Sequence, residues 1–367
     1  MKKVIIAGAN SFVASHFVHK LLSQDYHVVA LVRGSSEASA VDRMQEALED
    51  TTLDPVQDSG TLTVIDYTLL APNFSLSEET IASIFEGHLD YYHFAASLKF
   101  DFRSKEEIFD TNINGLKNAL NIFQKYASEK GRFFFISTAY SCGVYSDVFE
   151  EKFYPEADIS QFRNYYEQSK RLAENALQEF MAEYPINAHV IRLSQVVGNS
   201  RSGVTRTSYG IFDFAKRVHA LAQQYPNQKI RIHADPDATQ NLISIDTVIA
   251  DLMEVVATDE VPVIMNFVAN HPMSNRQIIR SISDLTSVEL VPEKDIQKED
   301  MNELERMVLA GMAFTGNYID TDIDFDTRQR DKVISPLHRE VNESSVFAML
   351  AYYLDNITEK SAVKSQQ

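Results

Sequence analysis

Cysteine is almost absent from this chain: Cys142 stands alone among 367 residues. One thiol cannot close an intrachain disulfide. A disulfide-stapled scaffold is excluded, and a reducing compartment is the expected setting. Positive charge is scarce too, with 34 Lys and Arg against 52 Asp and Glu and a net charge of −18. A surface of that balance has no overall attraction for nucleic-acid phosphates or anionic lipid. Long apolar runs are missing, and none approaches the ~20 residues of a membrane-spanning helix. The N-terminal run Val4-Ile5-Ile6 stops at Gly8-Ala9-Asn10, too soon for a signal peptide. These absences predict a cytoplasmic protein with no nucleic-acid partner and no membrane span.

What is present is an apolar content of 44%, enough for a sizeable core. Short runs that are apolar throughout alternate with helical patterns. Strands are predicted at 4–7, 28–32, 62–65, 91–95, 133–136 and 188–193. Helices are predicted at 12–23, 37–48, 78–86, 108–127 and from Tyr166 to Phe180. Ser75 and Glu78 have capping-box spacing ahead of the third helix. All-apolar strands separated by helices indicate a parallel sheet covered on both faces, a doubly wound α/β fold. Beyond Gly198 the pattern loosens. The polar stretch 199–208 reads as a mobile loop, a helix is predicted at 212–224, and 241–245 and 264–268 read as strands returning to the sheet. A helix follows at 275–285 and another near 346–354, in a smaller, mostly helical C-terminal part.

The turn Gly8-Ala9-Asn10-Ser11-Phe12-Val13-Ala14 follows the first strand and opens the first helix, the context a dinucleotide site needs. Backbone N–H groups at a helix start attract a pyrophosphate. Gly8 permits the tight turn and Ala14 permits close helix–strand packing. Ser11 stands where the fingerprint has its middle glycine, so it either narrows the phosphate approach or lends it a hydroxyl. An ordinary turn without a ligand is the alternative. Arg33 ends the second strand, where an arginine suits the 2′-phosphate of NADP and an acidic residue would suit NAD. Arg43 adds a second charge, though both arginines also fit a solvated surface. Asp66 ends the third strand and suits either the adenine amino group or a turn.

Tyr166 and Lys170 lie four apart, hence on one helical face. An ammonium beside a phenol favours the phenolate and is expected to lower the Tyr pKa toward working pH. Such a pair can exchange a proton with a carbonyl or alcohol. The strand Phe133-Phe134-Phe135-Ile136 ends in Ser137-Thr138, whose hydroxyls can hold the same substrate oxygen. Taken alone, Tyr-x-x-x-Lys also fits a solvated helix face.

The motifs together resemble the extended short-chain dehydrogenase/reductase superfamily, most closely its thioester reductase and fatty acyl-CoA reductase (male-sterility type) branch. The resemblance rests on Leu31-Val32-Arg33-Gly34, Tyr92-His93-Phe94-Ala95-Ala96-Ser97 with Phe100-Asp101, Asn112-Ile113-Asn114-Gly115 and Ile136-Ser137-Thr138-Ala139-Tyr140. It continues through Ile191-Arg192-Leu193-Ser194-Gln195-Val196-Val197-Gly198-Asn199-Ser200 and Asn241-Leu242-Ile243-Ser244-Ile245-Asp246. The chain departs from the pattern at Ser11 and Ala14, and at Leu193 and Ser244, where the branch carries proline.

The resemblance implies a Rossmann-type domain over residues 1–198, with strands returning at about 241–270. It implies a substrate-binding region at 199–240 and 271–359, and a disordered tail at 360–367. It makes Tyr166 the general acid, Lys170 its pKa partner and ribose ligand, Thr138 the oxygen-orienting hydroxyl and Asn112 a support for the proton relay. NADPH (NADP+) would meet Gly8, Asn10, Ser11, Phe12, Val13, Arg33, Arg43, Asp66, Tyr67, Ala95, Ala96, Ser97, Lys170, Leu193 and Val196. The implied activity is NADPH-dependent reduction of a coenzyme A ester or a thioester on an acyl or peptidyl carrier protein, to an aldehyde or on to the alcohol. A homodimer through helices 108–127 and 166–180 is also implied. The same triad serves reduction of small ketones or aldehydes and nucleotide-sugar conversion, and an NADP-binding sensor is a further alternative.

Other candidates carry less. His16 and His19 lack a third metal ligand, so no metal is expected. Cys142 has no base partner and reads as a small buried residue. Asp322, Asp324 and Asp326 lack the glycine and distal Glu of a calcium loop. Arg201, Arg206, Lys216 and Arg217 are either a patch for an acidic carrier or solvated charges.

Overall fold

The computed structural model describes residues 2–49, 51, 60–100, 102–311, 318–319, 321–335 and 340–364. Asp101 and the tail residues 365–367 lie outside the described residues. The chain divides into two compact units.

The first unit comprises residues 1–193, 249–267 and 325–336. Its strands are β1 (Lys3–Ala7), β2 (His27–Val32), β3 (Thr61–Asp66), β4 (Leu89–His93), β5 (Arg132–Thr138), β6 (Asn187–Leu193) and β7 (Ile264–Phe267). They form one seven-stranded sheet in the order 7-6-5-4-1-2-3. Every pairing is parallel. Its helices are α1 (Phe12–Leu22), α2 (Ala40–Glu49), α3 (Glu78–Phe85), α4 (Lys105–Phe109), α5 (Gly115–Tyr126) and α6 (Tyr165–Glu183). This is the doubly wound α/β fold that the sequence predicts.

The strands at the middle of the sheet, β4 and β5, are buried at every residue, whereas the edge strand β3 is exposed at Thr61, Thr63 and Asp66. A central parallel strand is covered on both faces, which is why β5 carries the unbroken apolar run Phe133-Phe134-Phe135-Ile136 and why the buried Asp90 of β4 is paired with Arg132 at the start of β5. Ile5, Leu31, Tyr91, Leu120, Phe133 and Leu177 belong to one core cluster. Burying each such side chain stabilises the fold by roughly 1.5–3 kcal/mol. The chain runs outward from β1 to β2 and β3, then returns to β4 on the other side. Ligands of open α/β sheets bind beyond the strand ends at such a reversal, here the C-terminal ends of β1 and β4.

Three local expectations differ. The helix predicted over 108–127 is interrupted by a π-turn at Asp110–Asn114 between α4 and α5. Side-chain periodicity does not register one extra residue in a turn. The cap of α3 is Ser77, whose side chain accepts from Thr80 N, whereas Ser75 sits at φ 65° in the preceding turn. Asn241–Ile245 does not rejoin the large sheet: Leu242–Ser244 pairs with Gln195–Val197 in a separate ribbon. A three-residue apolar run carries no signal that selects its partner. Ile264–Phe267 does return, as β7 beside β6.

The second unit comprises residues 194–248, 268–324 and 337–367. Helices Ile211–Gln224, Asn275–Leu285, Glu303–Gly311 and Glu343–Lys364 dominate it, with short ribbons such as Lys229–His233 against Glu289–Glu293. Phe212, Ile230, Ile282, Val346 and Leu350 lie in its core. The loop 199–208 is tied to Asp246 at the start of the helix Ile245–Ala257, because Ser200 donates to its carboxylate through N and Oγ at 2.8 and 2.7 Å. The last helix runs to Lys364, so residues 360–364 are helical where a disordered tail was expected. No helix among the described residues is long and apolar enough to cross a membrane.

Candidate active site

The turn after β1 is built on Gly8. Its N–H donates to Leu31 O at 3.0 Å and its φ is +74°. A Cβ there would lie 2.9 Å from both Cα and N of Ala95. Gly8 is thus needed twice, for a left-handed conformation and for contact with the chain leaving β4. Ser11 is the N-cap of α1 at φ −75°, an extended conformation open to any residue, and its side chain makes no capping bond. That is why serine is tolerated where the fingerprint has glycine. Ala14 is fully buried. The first turn of α1 carries no acidic residue, so its N–H groups and dipole remain available to an anion. Asn10, Phe12 and Val13 around this turn are half-buried.

Beyond β2, Arg33 is exposed. The Arg43 guanidinium donates to the Arg33 carbonyl, bringing two cations together at this strand end. Asp66 Oδ1 accepts from Gly34 N at 2.8 Å, so the carboxylate fixes the turn after β2. Tyr67 is buried, and burial pushes its phenol above the usual range against the opposing field of Arg33.

At the switch point, Ala95 is buried and Ala96 and Ser97 are half-buried. Asn112, in the π-turn, is 1% exposed. Its Oδ1 accepts from Ser97 N at 2.7 Å, and its Nδ2 donates to Ser97 O at 3.2 Å and to Ser169 Oγ at 2.8 Å. Ser169 Oγ donates in turn to Tyr166 O at 2.8 Å. A π-turn shifts side chains relative to a regular helix and often marks a functional position. Here it turns Asn112 into a clamp between the chain leaving β4 and the first turn of α6. That helix starts at Asn164, whose Oδ1 accepts from Glu167 N at 2.9 Å.

Lys170 Nζ donates to Ile136 O at 2.9 Å and lies 4.8 Å from the Phe135 ring centre and 6.0 Å from that of Tyr166. Phe100 meets the Tyr166 ring edge-on at 5.5 Å. Thr138, the last residue of β5, donates through Oγ1 to Leu193 O at 3.3 Å and accepts from Tyr140 N at 3.2 Å, capping the short turn Ala139–Cys142. Tyr166, Lys170, Thr138, Asn112, Leu193 and Ser97 therefore share one neighbourhood at the C-terminal ends of β4, β5 and β6. Val196 belongs to the second unit, in the strand Gln195–Val197.

The electrostatics correct one expectation. Burial pushes the Tyr166 phenol above its ordinary value, with the Glu167 carboxylate adding to the rise. The downward shift inferred from the Lys170 spacing is absent. Burial is the largest cause of the rise, and the charge that acts on the phenol is the Glu167 carboxylate. Lys170 itself is depressed to about 7 by burial, partly offset by Glu174. His93, beside the Tyr91, Phe133 and Phe135 rings, is depressed to about 3 by burial and then by Lys170.

Sequence reasoning passed over Glu174. It continues the four-residue spacing from Tyr166 and Lys170 and is fully buried. Its carboxylate accepts from Ser137 Oγ at 2.5 Å, Ser141 Oγ at 3.0 Å, and Arg192 Nε and NH2 at 3.1 and 2.7 Å. A carboxylate recurring at that interval was the available signal. Arg192 also donates to the carbonyls of Glu150 and Lys152 at 3.0 and 2.9 Å, tying down the connection between β5 and α6.

The weaker candidates resolve locally. His16 Nδ1 meets Phe12 O at 2.8 Å, and no group of metal-ligating side chains forms among the described residues. Cys142 is buried and its thiol is pushed up to about 12, which leaves it inert. Arg201, Arg206, Lys216 and Arg217 are exposed, and Arg217 pairs with Asp213 at 2.9 Å.

Comparison with known proteins places this geometry in context. The family profile described as "Male sterility protein" matches residues 6–252. Cinnamoyl-CoA reductase CAD2 of Medicago truncatula is 27% identical over 214 residues, 56% of this chain and 61% of that protein. The NADPH-dependent methylglyoxal reductase GRE2 of Saccharomyces cerevisiae is 26% identical over 195 residues, 49% of this chain and 53% of that protein. The matches thus span less than two thirds of these relatives' own length. Among solved structures, the terminal R domain from the myxalamid PKS-NRPS biosynthetic pathway superposes with a TM-score of 0.78 at 17% identity, covering 98% of this chain and 92% of that one.

Proposed function

The chain belongs to the male sterility protein family, a branch of the extended short-chain dehydrogenase/reductase superfamily of NAD(P)-dependent oxidoreductases, and from that premise we propose that it is an NADPH-dependent reductase of acyl thioesters. The observation that carries the reading is the arrangement around Lys170. Its ammonium is fixed on the Ile136 carbonyl, one turn of α6 from Tyr166 and two residues before Thr138 on β5.

The residues present fit a dinucleotide. Gly8 keeps the turn after β1 free of a Cβ, and the start of α1 offers uncapped N–H groups to a pyrophosphate. Arg33, with Arg43 anchored on its carbonyl, would bind a 2′-phosphate. Bound NADPH would be the hydride source. The Tyr166 hydroxyl donates a proton to the substrate carbonyl oxygen, and its raised pKa keeps it protonated for that purpose. The Thr138 hydroxyl holds the same oxygen by turning from its long bond to Leu193 O. The Lys170 charge stabilises the phenolate left behind. Asn112 and Ser169 fix the turn of α6 that carries Tyr166. Collapse of the resulting hemithioacetal releases the thiol and an aldehyde.

Two likenesses support a thioester: a relative named for a CoA ester and an R-domain fold from a PKS-NRPS pathway. We assign recognition of the coenzyme A or carrier-borne arm to the second unit, whose exposed Arg201, Arg206 and Lys216 suit an acidic carrier. A second reading, reduction of a small aldehyde or ketone, draws on the likeness to the methylglyoxal reductase. NADPH oxidation screened against acyl-CoA esters, carrier-loaded thioesters and free aldehydes separates them. Turnover of thioesters supports the first reading; turnover of aldehydes alone replaces it with the second.

A further inference from the structure

Tyr166, Lys170 and Glu174 follow one another at intervals of four along α6, so they share a face. That face packs on β5: Lys170 Nζ donates to Ile136 O at 2.9 Å, and Ser137, the next residue, donates to Glu174 Oε1 at 2.5 Å. Arg192, just before Leu193 on β6, closes on the same carboxylate at 2.7 Å. Leu193 O accepts the Thr138 hydroxyl. Glu174 therefore reaches both strand ends that flank the candidate acid, without approaching a substrate itself.

Three cations are concentrated here. Arg171 and Arg192 are fully buried and Lys170 is 3% exposed. Arg171 lies over the Phe149 and Tyr154 rings at 5.3 Å each, and Arg192 over Phe149 at 4.3 Å. A buried cation needs an opposite charge to remain charged. The groups facing Lys170 are Tyr166 and Glu174 on its own helix, His93 on β4, and the Phe135 ring and Ile136 carbonyl on β5. His93, buried beside an ammonium, stays neutral.

We propose that Glu174 is a positioning residue for Lys170: its carboxylate supplies the counter-charge that keeps the ammonium charged and anchored at the end of β5. The proposal rests on the reductase reading for its catalytic meaning, but its physical content is independent of turnover. Arg192 acts through Glu174, holding the carboxylate ionised and fixing its direction.

The test is a pH titration of Lys170 in the full chain by 13C NMR of labelled lysine, the resonance identified by its loss in Lys170→Met. In Glu174→Gln the Lys170 midpoint should fall by about one pH unit or more, the scale of losing a nearby opposite charge. The basic limb of the kcat/KM profile should move down with it. Glu174→Gln strands the Arg192 charge and risks misfolding, so the same change is also made in an Arg192→Met background, where the Lys170 midpoint should fall below that of Arg192→Met alone. An unchanged Lys170 midpoint in a folded variant overturns the proposal, whatever the loss of rate. Absence of wild-type turnover on every thioester and aldehyde would sink the reductase reading instead, and the titration would still decide the role of Glu174.

Discussion

Asn112 Nδ2 donates to Ser169 Oγ at 2.8 Å, joining the π-turn after α4 to the helix that carries Tyr166 and Lys170. The same side chain satisfies both backbone groups of Ser97. Asn112→Ala strips a buried donor and acceptor from their partners. The expected loss of stability is about 1–3 kcal/mol for each group left unsatisfied. Thermal unfolding reads that loss. Equal melting of wild type and Asn112→Ala would mean that water replaces the clamp.

Tyr166→Phe keeps the ring against Phe100 and removes the proton. Turnover should drop by roughly 10²–10⁴, the usual contribution of a positioned general acid. NADPH affinity should hold. A parallel loss of affinity would make the hydroxyl part of the binding site and not the acid.

Lys170 titrates at about 7, below the ordinary 10.5, because burial disfavours its charge. The ammonium form is the active one, and its population falls as pH rises through the folded pKa. The kcat/KM profile, which reports the free enzyme, should therefore decline on its basic side with a midpoint near 7. Lys170→Arg should keep the charge through pH 9 and remove that limb, though at a reduced rate, since a planar guanidinium does not reproduce the bond to Ile136 O. Persistence of the limb in Lys170→Arg would assign it to another group.

Arg33 and Arg43 make the cofactor preference testable. Arg33→Ala should erase the preference of NADPH over NADH measured as a ratio of dissociation constants. Arg43→Ala should reduce it partly, because its guanidinium anchors the Arg33 backbone. An unchanged ratio in Arg33→Ala removes the 2′-phosphate from this strand end.

The fold was legible because its strands are buried on both faces and so are written as uninterrupted apolar runs, as in Phe133-Phe134-Phe135-Ile136. The start of α6 was legible to within a residue, whereas the cap of α3 is Ser77 and not the Ser75 that the spacing suggested. The π-turn was not, since an inserted residue leaves the surrounding pattern of Ile108, Leu116 and Leu120 looking helical. The pairing of Leu242–Ser244 with Gln195–Val197 spans too much chain for any local signal. The Tyr166 and Lys170 spacing was visible, yet its electrostatic consequence was misjudged. Sequence spacing gives neighbours but not burial, and burial sets the sign of the Tyr166 shift. Glu174 was hidden for the same reason: an acidic residue late in a helix reads as solvated until the strand hydroxyls above it are seen.

His93 offers the last test. Neither of its ring nitrogens has a hydrogen-bond partner among the described residues, and its neighbours include the Tyr91, Phe133 and Phe135 rings. Its native pKa is about 3 and that of His189 about 4, both depressed by burial from 6.5. Below pH 6.5 the unfolded chain takes up two protons that the native state refuses. The stability these residues contribute is complete above the unfolded value and is lost as pH falls toward the native ones. Each refused proton adds a slope of roughly 1.4 kcal/mol per pH unit. His93→Phe preserves an aromatic ring in the stack and abolishes one of the two uptakes. Urea unfolding from pH 7 to 4.5 should show a shallower fall in stability for that variant, by about half in the share due to the two histidines. An identical slope would mean that His93 is already protonated in the folded protein, and that its imidazolium and the Lys170 ammonium coexist despite their repulsion.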